Sequence, residues 1–123
     1  MGLLALAIDV EVTSFDRIGG DLIACAFVEI STDYTLGREA IFYSRPESVK
    51  YFTDSAQRVH GISYFKALTF PTRKESCEMI IDWLDAGSVS GVPLVYHGNG
   101  MFDPKWIDAH FEKEEMHLSL IHI

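Results

Sequence analysis

Basic residues are scarce in this chain of 123 residues: ten Lys and Arg stand against eighteen Asp and Glu, a net charge of −8. That deficit argues against broad electrostatic binding of nucleic acid, which needs a basic face. It leaves room for a local site where metal ions offset carboxylates. Cysteine is nearly absent. Cys25 and Cys77 lie in apolar surroundings with no further thiol beside them, which excludes a disulfide scaffold or a cysteine metal cluster and points to buried free thiols in a reducing compartment. No apolar run is long enough to cross a membrane. The opening Met-Gly-Leu-Leu-Ala-Leu-Ala-Ile has no basic flank and meets an acid at position 9, so it does not read as a signal peptide. The expectation is a cytoplasmic protein with no membrane partner. Repeats, low-complexity segments and internal domain boundaries are also missing. Hydrophobic content of 48% and charged content of 23% suit one small globular domain.

What is present starts at Leu3 to Thr13, Leu-Leu-Ala-Leu-Ala-Ile-Asp-Val-Glu-Val-Thr. Six apolar residues run into Asp9, a pattern that predicts a strand buried on both faces in mid-sheet. Strand side chains alternate, so Asp9 and Glu11 project from one face at neighbouring positions. Like charges that close repel unless a cation lies between them, and hard divalent ions prefer carboxylate oxygen. The plainer alternative is a strand that surfaces at Asp9 and ends in solvated acids.

Further along, Asp21 to Ser31 and Arg38 to Ser44 read as two more strands around a turn at Thr32 to Gly37, giving an antiparallel meander. Thr53-Asp54-Ser55 opens a short helix that Gly61 stops. Thr72-Arg73-Lys74-Glu75 fits a capping box, and the helix behind it carries Cys77, Ile80, Ile81 and Leu84 at core-facing intervals before ending near Gly87. Pro93 to Tyr96 is a short strand and His97 to Gly100 a tight loop. Asp103-Pro104 opens a last helix, Asp103 at its N-cap, with Trp106, Ile107, His110 and Phe111 inside and Glu112 to Glu115 as a solvated end. The order predicts an α/β fold, a mixed sheet with helices packed on it.

Three stretches stand out together: Asp9-Val10-Glu11-Val12-Thr13, Val59-His60-Gly61-Ile62-Ser63, and Asn99-Gly100-Met101-Phe102-Asp103. In this order and spacing the chain resembles the DEDD 3′–5′ exonucleases of the ribonuclease-H-like superfamily, specifically the epsilon-subunit type of bacterial DNA polymerase III. The resemblance implies two divalent metal ions, Mg²⁺ or Mn²⁺. Asp9 would bridge both ions, Glu11 would ligate one, and Asp103 would complete the site through the second. It further implies that Thr13, Asn99 and Phe102 surround the terminal nucleotide, while His60 belongs to a turn beside the substrate cleft. The implied partners are a single-stranded 3′ end of DNA (or RNA) and a DNA polymerase. Taken singly, Asp103 could be only a cap, Thr13 an ordinary strand-end residue, Phe102 a core residue and His60 a helix-end residue.

The chain departs from that family in places. Val12 and Ser14 stand where the family has Thr and Gly; Gly98 and Gly100 replace a His and an Ala. The family also uses a later general-base His or Tyr followed by a fourth acid. No such pair is found here, since His110 and Asp108 fall on the wrong helix in the wrong order. The resulting expectation is an exonuclease domain truncated after its second-motif helix, with residues 1–117 as its N-terminal part and little activity of its own. Leu118 to Ile123 is similar to an in-frame translation of the mosaic-end adapter of transposase-based sequencing libraries; otherwise it begins the next strand. The alternative function is a non-catalytic nuclease-like module that binds nucleic-acid ends or a polymerase. Other ribonuclease-H-like enzymes share the first acid but not the His60-Gly61-Ile62 and Asn99 to Asp103 elements.

Overall fold

The computed structural model describes residues 2–14, 20–47, 52–87, 89, 91–97 and 102–116, with Phe102 through its backbone alone. Asn99 and the segment 118–123 therefore lie outside the described residues. Strand β1 (Leu3–Val12) pairs antiparallel with β2 (Leu22–Ser31), and β2 pairs antiparallel with β3 (Leu36–Tyr43). After three helices, α1 (Asp54–His60), α2 (Tyr64–Ala67) and α3 (Arg73–Ala86), the two-residue strand β4 (Leu94–Val95) joins β1 in parallel, and α4 (Phe102–Glu112) follows. The sheet order is β3-β2-β1-β4. This is the mixed α/β sheet the sequence predicts, with β1 inside it.

β1 is not buried on both faces, however. Its large residues Leu6, Ile8, Val10 and Val12 alternate on one face and join the core with Cys25 and Phe27 of β2, Cys77, Ile80 and Leu84 of α3, and Trp106, Ile107 and Phe111 of α4. Burying side chains of that size contributes about 1.5–3 kcal/mol each. The opposite face carries Ala5, Ala7, Asp9 and Glu11, and Asp9 is exposed. A continuous apolar run conceals this difference, because alanine is apolar yet too small to need a covering layer.

Local signals set the helix ends. Thr53 caps α1 by accepting the Ala56 N–H, and Gly61, at φ 71°, closes it in the left-handed region that a side chain disfavours. Thr72 and Glu75 make both hydrogen bonds of a capping box at α3. Helix α2, capped by Ser63, was not expected; four residues carry too little periodicity to register. The end of α4 is not simply solvated: Lys113 pairs with Asp21 at 3.0 Å and Glu114 with Arg73 at 2.8 Å, tying the last helix to β2 and α3. No helix is long and apolar enough to cross a membrane among the described residues.

Candidate active site

Asp9 and Glu11 stand side by side on the open face of β1, as their spacing requires. Their cross-strand neighbours on β2 are Ala26 and Ala24. Nothing larger than a methyl group crowds the two carboxylates from that side, so the sheet leaves space above them.

Asp103 arrives from the other direction. Pairing between β1 and β4 is confined to Leu6 and Ala7 of β1. Beyond it, the Val10 backbone N–H donates to the Asp103 carboxylate. The expected N-cap role is corrected here: Phe102 already lies in α4, so Asp103 stands inside the first turn, and its carboxylate reaches across to β1. Asp103 is a buried residue, 4% exposed. Burial first, then the charge of Asp9, pushes its pKa from 3.8 up to about 6; the Val10 N–H and His97 oppose the rise. Glu11 is raised as well, by burial and then by Asp9 and Asp103. Three acids from two elements thus feel one another at one end of β1.

Cys25, beside Val10 on β2, is fully buried, and burial followed by Asp103 and Asp9 lifts its thiol well above the ordinary range. It stays protonated, unsuited to thiolate chemistry. The available donors are therefore carboxylate oxygens, the chemistry that suits hard divalent cations. Among the described residues no three ligand-type side chains are gathered tightly enough to grip one ion as they stand. The three acids repel one another, and a cation among them would lower that repulsion.

The other expected residues are placed unevenly. Thr13 is fully buried: its hydroxyl accepts the Asp21 N–H at 2.8 Å, and its carbonyl accepts the Thr53 N–H at 2.8 Å. Its side chain works as a clasp between the end of β1 and the start of β2. His60 is half-buried at the end of α1; its Nδ1 accepts the Ile62 N–H at 2.9 Å, so Nε2 carries the proton of the neutral ring. Burial lowers its pKa, opposed by the Val12 carbonyl. His60 thus sits against the end of β1, beside the acids but not among them. Asn99 and the Phe102 side chain lie outside the described residues.

His97, read in the sequence as part of a tight loop without a role, is among the groups that oppose the rise of the Asp103 pKa; the aromatic residues flanking His60 were missed. Phe52 meets His60 edge-on at 6.0 Å and Tyr64 at 5.5 Å, and Tyr64 meets Phe65 at 6.2 Å. The available signal was the Tyr64-Phe65-Lys66 run directly after His60-Gly61-Ile62-Ser63.

No protein-family model matches the chain, and no curated protein matches it. Solved structures do. E. coli exonuclease I in complex with a dT13 oligonucleotide aligns with a TM-score of 0.77 at 16% identity, over 91% of this chain and 24% of that one. The zinc-ion-bound form of the E. coli exonuclease I–ssDNA complex gives the same values, and a product-bound exonuclease I gives 0.76, with 26% of its length covered. The likeness is one of fold: a four-stranded mixed sheet with helices in the ribonuclease-H-like arrangement. The chain spans about a quarter of the length of these structures.

Proposed function

We propose that this chain carries the metal-binding half of a 3′–5′ exonuclease site for single-stranded DNA. The observation that supports this most is the electrostatic coupling of Asp9 with Glu11 and Asp103 at one end of β1. Asp9, Glu11 and Asp103 would hold two Mg²⁺ or Mn²⁺ ions. Such ions, when bound, supply a water of lowered pKa and charge neutralisation at the scissile phosphate. Asp103 holds its proton up to about pH 6, so the site binds cations best above that pH. Thr13, Asn99, Phe102 and His60 are the proposed surroundings of the terminal nucleotide, with Thr13 and His60 shaping the end of β1 from behind. The ordered motifs favour the epsilon type, and hence a polymerase partner. The later His or Tyr and fourth acid of the resembled family have no counterpart by motif among these residues, and the chain by itself is proposed to bind metal and hydrolyse little.

The deciding experiment is Mn²⁺ binding followed by electron paramagnetic resonance, on the wild-type chain and on Asp9→Ala. Binding that is lost in Asp9→Ala supports the reading; equal binding by both overturns it.

A further inference from the structure

The row Phe52, Tyr64 and Phe65 is absorbed by neither the core nor the carboxylate site. Phe52 and Tyr64 are half-buried and anchor it; Phe65 is 81% exposed and open to solvent. Gly61 makes the row possible, since its φ of 71° reverses the chain after α1 so that Ser63 can cap α2 and return Tyr64 to Phe52. One end of the row is fastened to the site. Phe52 packs on His60, the Val12 carbonyl acts on His60, and Thr53 hydrogen-bonds to the Thr13 carbonyl through both its N–H and its hydroxyl. Thr13 lies two residues past Glu11, about 7 Å along the strand.

Charge identifies the occupant. In a chain of net charge −8, Arg38, Arg73 and Lys113 are each bound to carboxylates. Arg58 of α1 and Lys66, which follows Phe65 on α2, form no ion pair among the described residues, as is also the case for Arg45, Lys74 and Lys105. Arg58 also lines a hollow of about 370 Å³ with Asp54, Gln57 and Gly61. An exposed aromatic ring with a cation next to it is what single-stranded nucleic acid uses: a ring on which a base stacks, and positive charge for the backbone. An acidic or purely apolar partner would use only half of this pair.

We infer that Phe52, Tyr64 and Phe65, with Arg58 and Lys66, form a stacking platform for single-stranded DNA leading to the carboxylate site. Phe65 supplies the open ring, Tyr64 meets it edge-to-face with Phe52 behind Tyr64, and the two cations meet the phosphates. The inference rests on the proposed nucleic-acid function and adds the path by which the strand approaches.

The test is fluorescence anisotropy with 5′-fluorescein-labelled oligo(dT) of about twelve nucleotides, in EDTA so that nothing is cleaved, on the full chain. Phe65→Ala should weaken binding about 5- to 150-fold, the contribution of one stacked base, while Phe65→Trp keeps it within about twofold. Removing Arg58 and Lys66 together should flatten the dependence of log K on log salt by about 1.4. Because Phe65 is exposed, its substitution leaves the fold intact. Equal affinity of wild type and Phe65→Ala, or no binding by wild type, overturns the platform. A change from dimer to monomer in Phe65→Ala with DNA binding unchanged overturns it too, in favour of self-association. Phe65-dependent DNA binding combined with Mn²⁺ binding indifferent to Asp9→Ala sinks only the exonuclease reading; the reverse combination sinks only the platform.

Discussion

The Asp103 carboxylate accepts the Val10 backbone N–H, joining the first turn of α4 to β1 just beyond the point where β4 stops pairing. One hydrogen bond thereby replaces a missing ladder bond and brings a third acid to Asp9 and Glu11. The position is costly for a carboxylate, since burial and Asp9 both oppose its charge. A fold that needed only stability would place a neutral acceptor there. Retaining an acid at such a site is the pattern expected where function and stability compete.

Asp103→Asn keeps an acceptor for Val10 and removes the charge. At pH 7.5 in EDTA the variant should be more stable than wild type by about 1–2 kcal/mol, a discounted reading of the shift to about 6. Thermal unfolding measures this. Added Mn²⁺ should raise the midpoint of wild type and leave that of the variant unchanged. A variant less stable than wild type at pH 7.5 would show that the carboxylate is not under strain.

Arg38 spans two layers of the fold. Its Nε and Nη2 donate to Glu29 at 3.0 and 2.7 Å, its Nη1 donates to the Trp83 carbonyl at 3.0 Å, and its guanidinium lies 4.0 Å from the Trp83 ring centre. The paired Arg38 holds the Glu29 carboxyl below its usual range. Gly87 permits this arrangement: a Cβ there would meet Arg38 Nη2 and come within 2.7 Å of Glu29 Oε2. The clash is with the far end of a flexible, part-exposed side chain, so Gly87→Ala should destabilise by about 1 kcal/mol as Arg38 swings away from Glu29. In an Arg38→Ala background the same change should cost much less, and a double-mutant cycle by urea unfolding reads the difference.

Asp21 is the matching clasp at the other end of β2. Its carboxylate accepts Lys113 at 3.0 Å and the Glu47 N–H at 2.9 Å, with Arg73 at 3.8 Å, while its own N–H is held by Thr13. Asp21→Ala takes from Lys113 its carboxylate and from the Glu47 N–H its acceptor, while Arg73 keeps Glu47 and Glu114. The expected loss is about 2–3 kcal/mol, from one part-buried ion pair and one hydrogen bond left without an acceptor. The slowed exchange of amides in α4, followed by hydrogen–deuterium exchange, should be lost with it.

The strands, the capping box of α3 and the core faces of α3 and α4 were legible because each follows from spacing along a few residues. Leu6, Ile8, Val10 and Val12 announce a face, and Thr72 with Glu75 announces a helix start. The bond from Val10 to Asp103 was not legible. It depends on where β4 ceases to pair, a property of the folded sheet and not of either segment. The same holds for Lys113 and Glu114, read as a solvated end although Asp21 and Arg73 await them. Asp9 and Glu11 were found by alternation alone; Thr13, placed by resemblance at the terminal nucleotide, has its hydroxyl engaged within the fold by Asp21.

His110 and Asp103 lie on the same helix and respond to acid with opposite signs. His110 is 3% exposed and its Nε2 is 3.4 Å from the Ser76 hydroxyl. Burial, then Arg73 and Lys113, hold its pKa down from 6.5 to about 4, with Asp21 opposing. Between those values the unfolded chain takes up a proton that the fold refuses, so this group lowers stability as pH falls. Asp103, raised from 3.8 to about 6, keeps in the fold a proton that the unfolded chain has released, so it raises stability over nearly the same interval. Their contributions nearly cancel in wild type. Asp103→Asn should uncover the histidine, with stability falling on acidification from pH 6 to 4 by about 1 kcal/mol per pH unit relative to wild type. His110→Gln, which keeps a polar group near Ser76, should uncover the acid and give the opposite slope. Urea midpoints at pH 4, 5 and 6 measure both, and variant curves parallel to wild type would show that neither group titrates as its surroundings dictate.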